Sequence, residues 1–218
     1  AALAFSAFDQ VWFVAGSCAW NTTTWPTARF TSYASGGGTL FLITEFFGPP
    51  AFAACTTPAT TTSILAATLD IPVTVIGSEN GGPGGGFSSP GFCNEPVGIP
   101  PGSGVSNCPN VLSSVSGTSC SGNLTGVPNA NMLRRRATTG LAAGAIFGPS
   151  EMASGVGYIV VWPDQSGAPS TAMLQNILAY TRPSSAPGSS CDYCTVAADC
   201  NDGNACTSDA CGSNGLCS

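Results

Sequence analysis

Six cysteines crowd the last 28 residues of the chain, at Cys191, Cys194, Cys200, Cys206, Cys211 and Cys217, with the spacing C-x2-C-x5-C-x5-C-x4-C-x5-C. A metal site would need four thiolates gathered together, and Cys191 with Cys194 offers two. Three disulfides are the competing chemistry, and the reading favoured here. A segment this short cannot bury an adequate apolar core, so cross-links must replace it. Five further cysteines are dispersed, at Cys18, Cys55, Cys93, Cys108 and Cys120. The total of 11 is odd, so one thiol is free or joined to another chain. Because the tail can close on itself, the odd one is expected outside it. Asp199, Asp202, Asn204 and Asp209 gather oxygen ligands suited to Ca²⁺, a hard cation. The same Asn-Asp-Gly core is also ordinary turn chemistry. No cofactor is required elsewhere; calcium in the tail is the one candidate.

A second constellation is a pair of carboxylates. Glu45 follows the apolar run Thr39–Thr44, and Asp164 follows the run Gly157–Trp162. In open α/β sheets, ligands sit beyond the carboxyl ends of the strands. Two acids there could do acid-base work of the kind seen in glycosidases. The plainer alternative is that each caps a neighbouring loop or helix. The supporting kit is thin: the chain has no His and no Lys. That removes Ser-His-Asp and Cys-His catalysis and His-ligated metal sites. Phosphate affinity comes from Lys and Arg, so a chain with five Arg and a net charge of −6 is a poor nucleic-acid partner. Charged residues make up 7 % of the chain, against about 25 % in soluble domains. No apolar run reaches the roughly 18–20 residues of a membrane span.

The elements that would hold these residues alternate between strand and helix. Val11–Val14 reads as a buried strand. Asn21–Ala34 is Thr-rich, with Pro26 near a helix start and Gly36-Gly37-Gly38 after it. Thr39–Thr44 is the clearest strand, and its unbroken apolarity predicts burial on both faces, as in a parallel sheet. Thr60–Leu69 reads as a helix, and Pro72–Ile76 as a strand. Gly77–Cys108 is a long Gly/Pro-rich stretch without periodicity; loops of this length are functional or pinned, and disulfides at Cys93 and Cys108 would do the pinning. Val111–Val115, Ala143–Phe147 and Gly157–Trp162 read as strands. Ser170–Thr181 is a helix with Ser170 as N-cap. Residues 183–190 are a Pro/Ser/Gly linker between a body (1–182) and the Cys-rich tail (191–218). The body is nearly neutral, and the tail carries four acids and no Arg.

Phe8-Asp9-Gln10-Val11-Trp12, Gly36–Glu45, Gly157–Asp164 and the helix Leu174-Gln175-Asn176-Ile177-Leu178 together resemble a flavodoxin-like domain of the class I glutamine amidotransferase-like kind. The resemblance covers about two thirds of the chain. It implies an α/β fold, a three-layer mostly parallel sheet, in a secreted bacterial protein. The family's Gly-flanked Cys nucleophile and its His are absent, so it implies fold and not activity. The family's first strand and helix are also absent, which leaves a sheet edge to be completed. The tail stretch Asp199–Cys211 resembles the Asp- and Cys-rich repeats of secreted bacterial surface proteins.

Several features point outward. The chain opens at Ala1 rather than Met, which reads as a form processed by removal of a signal peptide. The apolar segment Ala1, Ala2, Leu3, Ala4, Phe5, Ser6, Ala7, Phe8 is a candidate to insert beside a neighbour's sheet. It is alternatively the domain's own edge strand, or disordered. Asn21 and Asn123 open glycosylation sequons. Arg134–Arg136 reads chiefly as a solvated face, with a processing site, an acidic partner or an intersubunit ion pair as alternatives. Trp12 and Trp162 fall in strands and are expected in the core; Trp20 and Trp25 are the surface candidates for sugar stacking. The expectation is a secreted, non-enzymatic structural protein at the cell surface, assembling with copies of itself by strand insertion or an intermolecular disulfide. The alternatives are a carbohydrate-binding or adhesion module and a hydrolase using Glu45 and Asp164.

Overall fold

A computed structural model describes residues 4–15, 22, 25–44, 57–76, 96–99, 103, 105, 110, 112, 117–118, 123–137, 139–163 and 169–181. In chain order the elements are β1 (Gln10–Ala15), α1 (Thr27–Ser35), β2 (Thr39–Thr44), α2 (Thr57–Thr68), β3 (Thr74–Ile76), β4 (Pro96–Gly98), β5 (Gly117–Thr118), β6 (Asn123–Thr125), β7 (Met132–Arg136), β8 (Ala142–Phe147), β9 (Tyr158–Trp162) and α3 (Thr171–Tyr180). The class is mixed α/β with an open sheet, as the alternating pattern predicted. The chain divides into two units, Ala1–Ser103 with Ser113–Ala168, and Gly104–Leu112 with Pro169–Ser218. The boundary expected after residue 182, the linker 183–190 and the tail 191–218 lie outside the described residues.

In the first unit the sheet runs β1-β2-β9-β8-β7-β4-β5, with β6 beside β8 and β3 beside β6. β1, β2 and β9 form the parallel block. From β9 onward neighbouring strands pair antiparallel. Following those pairings, β1, β2, β5, β6, β7 and β9 point one way and β3, β4 and β8 the other. The unbroken apolarity of Thr39–Thr44 predicted burial on both faces, and both faces are buried there and in β9 beside it. Leu40, Leu42, Ile159 and Val161 turn to one side, into a core with Phe30, Tyr33 and Ala34 of α1 and Ile64 and Leu65 of α2. Phe41, Val160 and Trp162 turn to the other and are equally enclosed. Each such side chain contributes roughly 1.5–3 kcal/mol on removal from water.

The helices form where their apolar spacing allows. Phe30, Tyr33 and Ala34 lie at i, i+3 and i+4 of α1, one stripe against the sheet. α2 is Thr-rich, a composition that weakly disfavours helix. Its hydroxyls are satisfied within the helix: Ser63 Oγ donates to the Ala59 carbonyl at 2.9 Å and Thr68 Oγ1 to that of Ile64 at 2.7 Å. Gly157, entering β9, has φ +85°, and a Cβ there would lie 2.1 Å from the Ala34 carbonyl oxygen. Only glycine lets the end of α1 approach the sheet this closely.

Three expectations change. Arg134–Arg136 is strand β7 rather than a solvated face, with Arg134 and Arg136 buried. The Gly/Pro-rich stretch up to Cys108 contains a short strand, β4. Of the strand expected at Val111–Val115, only Leu112 is described, and it lies in no strand. No helix among the described residues is long and apolar enough to cross a membrane.

In the second unit, α3 is capped as expected: Ser170 Oγ accepts from the Met173 N–H at 3.2 Å.

Candidate functional site

β1 is the outermost strand of the parallel block. Among the described residues, its only strand partner is β2. The Asp9 carbonyl accepts from the Thr39 N–H at 3.2 Å, at the start of a register that pairs Gln10 with Thr39 and runs unbroken to Ala15. In a parallel ladder alternate residues bond to alternate sides. Val11 and Phe13 therefore spend their main-chain groups on β2. Gln10, Trp12 and Val14 turn theirs to the open edge.

The side chains sort by the same alternation. Val11 and Phe13 pack on the core, where Phe13 meets Phe30 edge-on at 5.0 Å and Trp25 at 6.0 Å. Trp12 and Val14 point to the opposite face and stay 41 % and 50 % exposed. Trp12, expected in the core, is thus a surface residue. An edge strand has a neighbour on one side only, and the sequence of β1 carries no sign of which strand is the edge. Its indole lies flat on Phe41, with centroids 4.0 Å apart and planes within 8°. Its Nε1 donates to Gln10 Oε1 at 3.4 Å. One face of the ring is backed by Phe41, and the side chain remains 41 % exposed.

The segment before β1 is anchored to the chain's own core. Phe5–Ala7 form a 3₁₀ turn rather than an edge strand. Phe5 is buried against Phe30 at 5.3 Å and Tyr33 at 6.0 Å. Tyr33 Oη donates to the Phe8 carbonyl at 2.9 Å. Burial raises the Tyr33 pKa, and the nearby Asp9 charge raises it further against a hydrogen bond from the Thr39 backbone that lowers it. Burial also raises that of Tyr158. Phe8 itself is 48 % exposed. Ala4, Ser6 and Ala7 complete the described part of the segment; Ala1, Ala2 and Leu3 lie outside the described residues.

Across the sheet, the guanidinium of Arg134 lies 4.5 Å from the ring centroid of Trp162. Gly144 makes room for that ring, since a Cβ there would come within 3.2 Å of it. Arg136 Nε donates to Asn123 Oδ1. Asn123 is 2 % exposed. The residue that opens this expected glycosylation sequon is therefore buried in the sheet. The buried cations had a faint sequence signal, since Arg134 and Arg136 share i, i+2 spacing, but Arg135 between them masks any alternation.

Other predicted site residues lie outside the described residues. These are Glu45, Asp164, Asn21, Trp20, Asp199, Asp202, Asn204, Asp209 and all 11 cysteines. Among the described residues no three His, Cys, Asp or Glu side chains come together in a metal-holding group. Trp25 sits partly exposed, as expected, and Trp162 is in the core, as expected. The chain matches no protein-family model, no curated protein and no solved structure.

Proposed function

We propose that this chain is a secreted, non-enzymatic structural subunit of a bacterial cell surface, assembling with copies of itself into a filament or surface layer. One observation carries the reading: around an ordinary apolar core, a few apolar side chains stand exposed together at the sheet edge while two arginines are buried. Arg134 and Arg136 are inside the sheet, while Phe8, Trp12 and Val14 are outside at its edge. Water ordinarily favours the reverse, and a group of exposed apolar side chains marks a surface that another molecule covers. The body is nearly neutral in net charge, so copies meet little repulsion. The flavodoxin-like resemblance supports a scaffold without its nucleophile, and the 11 cysteines support an oxidising, extracellular setting. In this reading residues 183–190 link the body to a disulfide-stapled tail that takes calcium at Asp199, Asp202, Asn204 and Asp209. Electron microscopy of the purified protein, with non-reducing gels, tests it. Filaments, sheets or defined oligomers are expected. A strictly monomeric particle without intermolecular disulfide overturns it.

A second reading is carbohydrate binding. The flat, backed indole of Trp12 favours it, because a sugar's C–H face stacks on such a ring. Glycan-array binding lost in Trp12→Ala supports this reading, and an array without binding rejects it. The hydrolase reading rests on Glu45 and Asp164 in the sequence alone; turnover abolished by Glu45→Gln with the fold retained would be needed to raise it.

A further inference from the structure

The geometry points to the open edge of β1 as a twofold docking strand whose partner is β1 of a second copy. This inference rests on the self-assembly reading above and names its contact. The outward main-chain groups belong to Gln10, Trp12 and Val14, an odd set centred on Trp12. Such a set is self-complementary. When the same edge of another copy approaches antiparallel, Trp12 falls opposite Trp12 and Gln10 opposite Val14. Each of these opposed pairs exchanges two N–H···O bonds, so the junction closes with about six. The side chains agree with the main chain. Trp12 of each copy lies on the face away from the core, so the Trp12–Phe41 stack meets its twofold mate in one aromatic row. Val11 and Phe13 of each copy stay on the core face, and the sheet continues without a flip.

The edge also lacks the devices that keep sheet edges apart. Across Gln10–Ala15 there is no Lys, no other charge, no Pro and no break in register with β2. A six-residue strand of this kind pairs with another unless something covers it. The twofold contact is isologous and closes on itself. A longer assembly would use another surface of the resulting pair.

Sedimentation equilibrium of the intact, oxidised protein over a wide concentration range tests the contact. Val14→Lys places an ammonium at the junction, and Val14→Pro removes an outward N–H without taking one from β2. Val156→Lys adds the same charge at a residue that is also exposed but lies outside the edge. The expected result is a concentration-dependent dimer or higher species in the parent protein. Association should weaken at least tenfold in both Val14 variants and stay unchanged in Val156→Lys, with circular dichroism confirming the fold of each. If the parent associates and folded Val14 variants associate equally, the β1 contact is wrong while self-assembly stands. If the parent is monomeric throughout, both fall.

Discussion

The side chain of Asn176 pairs with the main chain of Asn110 as one strand pairs with the next. Asn176 Oδ1 accepts from the Asn110 N–H at 2.9 Å, and its Nδ2 donates to the Asn110 carbonyl at 2.8 Å. The same Nδ2 donates to the Val105 carbonyl at 2.7 Å. Asn110 returns the contact through its own amide, which donates to Gln175 Oε1 at 2.9 Å. One fully buried carboxamide on α3 thus does for Val105 and Asn110 what a ladder would do for a strand. Asn176→Ala leaves several of these groups unpaired in a buried place, and each such loss costs about 1–3 kcal/mol. Asn176→Asp keeps the shape but loses the donor, so it should be destabilising too. Urea unfolding of the two variants checks both, and a midpoint unchanged in Asn176→Ala would show that water replaces the clasp.

Gly157 is expected to tolerate no side chain. Gly157→Ala places a Cβ on a residue with φ +85° and drives it into the Ala34 carbonyl. The left-handed backbone alone costs about 1–2 kcal/mol for an L-residue. A total loss above about 2 kcal/mol is expected in thermal or urea unfolding. Because the clash joins α1 to β9, hydrogen exchange should quicken in both.

Stability should fall at alkaline pH. The folded chain holds the Tyr33 and Tyr158 protons beyond the ordinary value of 10.0. Below that pH both states are protonated and the full stability is present. Above it the unfolded chain ionises first, so stability is lost as pH rises through the folded values. Tyr33→Phe removes the bond to the Phe8 carbonyl at a cost of about 1 kcal/mol at neutral pH. It should also flatten part of the alkaline decline. An alkaline limb of unchanged slope in that variant would assign the decline to other groups.

Asn123 should carry no glycan when the folded protein is produced in a glycosylating host. Peptide mass spectrometry is expected to show it unmodified, and a glycan found there on folded material would contradict its burial. Asn123→Leu should destabilise by about 1–3 kcal/mol, because Arg136 Nε loses a buried acceptor.

The local order of the chain was legible in the residues alone. The apolar runs at Thr39–Thr44 and Gly157–Trp162, Pro26 at the start of α1 and the Ser170 cap of α3 are signals set by neighbours along the chain, and the elements stand where those signals put them. So did the mixed α/β class. Long-range pairing was not legible. Nothing in Met132–Arg136 announces a strand, because a basic run is stable on a strand only when an indole and a carboxamide distant in sequence receive the cations. Nothing in Gln10–Ala15 announces an edge, because its period is that of any half-buried strand. Whether Trp12 is enclosed or displayed depends on which strand lies beside it, and only the assembled sheet decides that. For Phe5 the reverse holds. This one residue of an apolar segment that the sequence leaves free to pair with a neighbour is drawn into the chain's own core, because Phe30 and Tyr33 of α1 stand close enough to enclose it. Composition determined where the chain's charge is scarce. Tertiary structure decided where the little charge it has is hidden and which apolar residues are left facing water.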